Sequence, residues 1–169
     1  MTAHSDTDVI DTVLHLDTFP DIRKLREQRA RLKHLTQTSY EAALRPREPR
    51  NFSYAMRAAL AARMAGLWKA VELVAHYRDL LAREEATPDL AAIADPAFRP
   101  DESGDTRLAT ILAHVDLVTL TPREATRAHI EKLYAAGLDD RDIVTLAGLI
   151  AFVNYQVLVV AGLKMLRDN

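Results

Sequence analysis

The 169-residue chain is predicted to be all-α on three grounds. Ala and Leu are its commonest residues, glycine occurs only 5 times, and apolar residues recur every three or four positions where strands would need alternation. Residues 8–16 suit a short first helix, closed at Phe19-Pro20. From 21 to 44, Ile22, Leu25, Ala30, Leu32 and Leu35 lie among many Arg and Lys, which predicts one long helix or two broken near 36–39. Arg45-Pro46-Arg47-Glu48-Pro49-Arg50 ends that stretch, because neither proline continues a helix. Residues 53–83 read as one long helix with Met56, Leu60, Met64, Leu67, Val71, Val74 and Leu80 on its apolar face. Residues 84–102 hold Pro88, Pro96 and Pro100 and read as a loop with a short helix at 90–94; a further helix is expected at 108–117. Thr121-Pro122-Arg123-Glu124 has the cap, proline and reciprocal Glu of a helix start, predicting a helix over 122–136 that stops at Gly137. Asp139 or Asp140 then caps the last helix, with Leu138 placed to staple onto Ile143.

Between Ile143 and Leu163 no residue is charged, a length that could cross a bilayer. Thr145, Asn154, Tyr155 and Gln156 put polar groups in that span, so membrane insertion is not expected; a core helix covered by neighbours and by a second subunit is. A helix apolar all round asks for more cover than so small a chain supplies, hence a homo-oligomer is expected. Asn154 and Gln156 then need partners, either between helices or in an interhelical pocket.

Composition narrows the function classes. With no Cys, the chain has no disulfide, thiolate zinc site, iron–sulfur ligand or thiol nucleophile. A net charge of −2 gives no field for nucleic acid, and the polar, acidic start lacks a secretory pattern, so a cytoplasmic location is expected. Leu120 to Glu124 with Gly137 imitates a LuxR-type helix-turn-helix, yet no Lys or Arg lies between Arg141 and Lys164 to reach phosphates, so no nucleic-acid partner is expected. His114 with Asp116 and His129 with Glu124 lack metal-ligand spacing, and no glycine-rich phosphate loop or Gly-x-Ser-x-Gly occurs; neither metal nor cofactor is expected.

The Ala-rich helix followed by Leu120-Thr121-Pro122-Arg123-Glu124, Ala135 to Val144 and Ala151-Phe152-Val153-Asn154-Tyr155 resembles the carboxymuconolactone decarboxylase and AhpD-like superfamily. The likeness divides the chain into an N-terminal helical leader at 1–50 and an AhpD-like helical domain at 51–169, together one unit. It implies an AhpD-like, oligomeric helical bundle. In the peroxidases of that family the active helix carries Glu-x11-Cys-x2-Cys-x3-His. Setting the motif His on His76 places Lys69 and Glu72 at the cysteine positions and Arg57 at the glutamate, so only the His is kept. Without sulfur no sulfenic acid or disulfide can form, and thiol peroxidase activity is excluded.

Two functional expectations follow. The first is a structural or small-molecule-binding protein of this fold. The second is a cofactor-free acid–base enzyme resembling the lactone decarboxylases, acting on a small carboxylate or lactone. There His76 would be the general base or acid, Glu72 would orient it, and Arg57 or Lys69 would hold a carboxylate. Glu72 and His76 are four apart and share a helix face, with Lys69 a turn earlier, but the same spacing describes a solvated salt-bridge stripe, which is the favoured reading. Trp68, Tyr77 and Arg78 are read as core or subunit-contact residues.

Overall fold

The computed structural model describes residues 8–84, 86–100 and 105–168; the acidic start at 1–7 lies outside them, as do Glu85 and residues 101–102 of the proline-rich loop. All the regular structure among the described residues is helical.

Helix α1 (Val9–Val13) starts at Asp8, whose carboxylate accepts the amides of Ile10 and Asp11. A 3-10 turn (Leu16–Thr18) leads into α2 (Pro20–Glu27) and α3 (Ala30–Leu44). The break between these two falls at Gln28–Arg29, not at 36–39. The corner lets Arg26, from one side, and Lys33, from the other, both pair with Asp11. Residues 36–39 are helical throughout; there Thr38 donates to the His34 carbonyl, and Thr36 bonds the Tyr155 hydroxyl.

The expected single helix over 53–83 is two helices, α4 (Tyr54–Leu67) and α5 (Val71–Ala82), folded back on each other. Lys69 takes the left-handed conformation, φ 57°. Its amide donates to Gly66 O at 3.0 Å and that of Ala70 donates to Ala65 O at 2.9 Å, the paired bonds of a Schellman stop. Gly66 sits under this corner because a Cβ there would come within 2.5 Å of the Pro96 ring. The apolar spacing runs on through the corner although the face it predicts does not: Leu60 and Met64 are sealed in the core, whereas Val71, just past the corner, is exposed, so periodicity alone does not reveal the break.

After α6 (Pro88–Ile93), helix α7 (Thr106–Leu120) is longer at both ends than the 108–117 expected, with Asp105 capping the Leu108 amide at 2.8 Å. The predicted start at Thr121 is only a 3-10 turn, Pro122–Glu124. The Thr121 hydroxyl turns back toward the Leu117 carbonyl, Ala125 is extended, and α8 (Arg127–Ala135) begins afresh at Thr126, whose amide donates to Nδ1 of His129 at 3.0 Å. Gly137 ends α8 at φ 84° with the same paired bonds, Gly137 to Tyr134 O and Leu138 to Leu133 O.

Helix α9 (Asp140–Arg167) is capped by Asp139, which accepts the Asp142 amide at 2.8 Å. Asn51 bonds Asp142 and Arg50 bonds Asp139, each at 2.6 Å, fastening this end to the segment before α4. Helix α4 is the centre: from Ala58 to Ala65 its residues are sealed, and α5, α6, α7 and α9 pack on it. Arg63, wholly buried, meets Asp116 of α7 through two bonds of 2.7 and 2.6 Å and also donates to the Asp95 carbonyl. Leu146, Leu149, Ile150, Val153 and Val157 face this core, whereas Val144, Leu158 and Met165 lie open, so within one chain α9 is covered on one side only. It is long and apolar enough to cross a bilayer, by length and composition.

Candidate functional site

The four residues singled out by the sequence do not form one cluster. Lys69 is the left-handed stop between α4 and α5, exposed and off either helix, so it is not one turn before Glu72 on a continuous rod. Glu72, at the start of α5, pairs with Lys164 of α9, whose ammonium holds its carboxyl below the usual range. His76 does share α5 with Glu72, but its Nε2 bonds the Tyr40 hydroxyl of α3 at 2.9 Å, and its ring lies against Tyr40 and Tyr77. Burial lowers the imidazole's pKa and the charge of Arg83 adds to this; burial pushes Tyr40 up to about 12.

Arg57, on α4, is only 2% exposed. Its Nε donates to Phe52 O at 2.9 Å, one terminal nitrogen to Ala43 O at 2.8 Å and the other to Pro49 O at 3.2 Å. All three acceptors are neutral carbonyls, and no carboxylate among the described residues pairs with it. Three of the guanidinium's five N–H donors are thereby used and two remain. The cation ties the end of α3 and the Pro46–Phe52 turn to α4, and burial pulls its pKa down.

Arg57 lines a groove of about 670 Å³ between α3 and the first half of α9, whose lining does not include Lys69, Glu72 or His76. Leu32, Leu35 and Ala43 form one wall and Val144, Leu149 and Phe152 the other; Glu48 stands at the Arg57 end. The Thr36–Tyr155 bond, 3.0 Å, lies where this groove meets a smaller one of about 390 Å³ running toward Leu25 and Leu163. The groove takes its shape from small residues: Gly148 of α9 has open space where a side chain would begin.

The two polar residues of α9 have partners. Asn154 accepts from the Trp68 indole at 2.6 Å, pinning the α4–α5 corner. Gln156, fully buried, accepts from the Tyr77 hydroxyl, and its Nε2 is left without a partner. Both bonds are of the interhelical kind, and neither residue lines the α3/α9 groove. Sequence reasoning missed Tyr40, Thr36 and the groove itself. Their only trace was the apolar run Leu32, Leu35 on a helix otherwise too polar to be core.

Fold and site together define an all-α bundle with an apolar surface groove over a lone guanidinium. No family model matches the chain, and no curated protein does. Among solved structures, an uncharacterized peroxidase-related protein from Silicibacter sp. TM1040 is similar over 78% of this chain and 68% of its own, with a TM-score of 0.67 and 18% sequence identity. At that identity the likeness shows the fold alone, the all-helical bundle of that protein, here in a chain with no cysteine.

Proposed function

We propose that this chain is a peroxidase-related helical protein without thiol chemistry that binds a small amphipathic carboxylate in the α3/α9 groove. The observation that carries the reading is Arg57, a buried cation that bonds only neutral carbonyls at one end of a mostly apolar recess, with Glu48 on the lining but not paired to it. A buried charge without a counter-ion is costly, and a ligand carboxylate supplies one while its alkyl part covers Leu35, Val144 and Phe152. The groove's volume lies within the range of roughly 300–1,000 Å³ usual for small-molecule sites. The acid–base alternative gains no support from the observed bonds, since Glu72 is engaged by Lys164 and His76 by Tyr40, and neither lines the groove.

A second copy of the chain is part of the same proposal, as the roof of this site. Val144, Gly148, Ala151, Tyr155, Leu158, Gly162 and Met165 are exposed and repeat every three or four residues, the spacing of a helix seam. The first four also line the groove, so an α9 helix docked along the seam would close it.

Titration calorimetry with decanoate and decanol tests the reading. Decanoate is expected to bind at least about tenfold more tightly than decanol, a preference worth one charge-assisted pair. Arg57→Met should erase the preference, and Gly148→Phe, which fills the open space in the groove, should weaken both ligands. Equal affinity for acid and alcohol in the parent, or undiminished binding by Gly148→Phe, refutes it. Light scattering should show a dimer; a monomer at high protein concentration removes the roof.

A further inference from the structure

Helices α7 and α8 line a recess of about 450 Å³, separate from the α3/α9 groove. His114 and Thr110 line it from α7, His129 and Lys132 from α8, and no carboxylate is among its lining residues. His114 is 9% exposed, and its Nδ1 is sealed in the protein without a partner, so the solvent-facing nitrogen is Nε2. Sealing an N–H donor away from any acceptor costs more than sealing a bare lone pair, which keeps the proton of the neutral ring on Nε2. His129 reaches the same state by another route: its Nδ1 accepts the Thr126 amide at 3.0 Å, so its proton also sits on Nε2. Lys132, one turn further along α8, has no carboxylate partner among the described residues.

Asp116 is held by Arg63, Glu131 by Arg127, and Asp105 caps α7, while Arg107 donates across to Gly137 O at 3.1 Å. Two imidazole N–H donors and an ammonium therefore face one recess that lacks a counter-charge. His129 is near enough that its positive charge adds to burial in lowering the His114 pKa.

We propose that this α7/α8 recess is an oxyanion site for a phosphate group, free or as a monoester, held by Nε2–H of His114 and of His129 and by the ammonium of Lys132. The imidazole resonances of the full chain report on it directly. Sodium phosphate and phenyl phosphate are each titrated in, against sodium chloride at matched ionic strength. The His114 and His129 signals should shift together and saturate, moving toward the positions of charged rings as the dianion favours them. His15, His34 and His76 should respond as they do to chloride. Saturation by both probes identifies a site satisfied by free phosphate; saturation by phenyl phosphate alone identifies a monoester site. Lys132→Gln, a change on the exposed face of α8 that leaves the fold intact, should weaken binding about tenfold. Shifts that match chloride, that never saturate, or that persist unchanged in Lys132→Gln overturn the proposal.

Discussion

Lys69 offers a direct test of how the central hairpin is made. A non-glycine residue in the left-handed region costs about 1–2 kcal/mol, and Lys69 sits there at φ 57°. Its side chain is exposed and makes no ion pair among the described residues, so Lys69→Gly removes the strain and nothing else. Against the gain stands the extra freedom glycine has in the unfolded chain, about 0.5–1 kcal/mol. The net is a stabilisation of roughly 0.5–1 kcal/mol, a rise in Tm of about 1–4 °C for a chain of this length. Gly137→Ala is the mirror experiment: φ is 84°, and the new Cβ would stand 3.3 Å from the Arg107 guanidinium that bonds the Gly137 carbonyl. It should lower Tm by a few degrees, on the order of 1–2 kcal/mol. Differential scanning calorimetry of the three proteins decides. If Lys69→Gly melts at or below the parent, the α4–α5 corner is not the strained stop described, and a continuous helix returns as the better account.

Further consequences are open to measurement. Asp116→Asn leaves the buried Arg63 charge unpaired and should cost about 3 kcal/mol, the low end for breaking a buried pair because Asp116 keeps some contact with water; a loss under 1 kcal/mol in urea unfolding would contradict the anchor. Burial lowers the pKa of His76 and of His114 below the ordinary 6.5, so the unfolded chain binds those protons first: their contribution is fully present above that value and drains away as pH falls below it. Urea midpoints should therefore drop between about pH 6.5 and 5, before carboxylates titrate, and His76→Gln should flatten part of that slope. A slope unchanged by His76→Gln would mean the ring is not held neutral. Glu48→Gln, which removes the like charge at the Arg57 end of the groove, should tighten decanoate binding while leaving decanol unaffected; an equal effect on both ligands would place the carboxylate elsewhere.

The all-helical class was legible because helix propensity and apolar spacing agree along the whole chain, and the stop at Gly137 and the start at Asp139 announce themselves locally. What escaped was geometry set by distant partners. The corner at Lys69 has no glycine to mark it; it exists because α5 gains more by packing back on α4 than the left-handed Lys loses. The α2–α3 corner is set by Asp11, far off in sequence, and the cap expected of Thr121 passed to Thr126 because His129 could close it. The same holds at the site. Spacing put Glu72 and His76 on one face, as they are, but it could not show that Lys164 and Tyr40 take up their polar atoms. Arg57 was chosen for its place in a motif and is notable for another reason, its lack of a carboxylate.

The most direct measurement is a crystal structure of the chain grown with decanoate. The carboxylate is expected within hydrogen-bond distance of the two remaining N–H groups of Arg57, with the alkyl chain lying between Leu35 and Phe152. A ligand seated elsewhere, or a groove filled instead by side chains of a second copy, would contradict it.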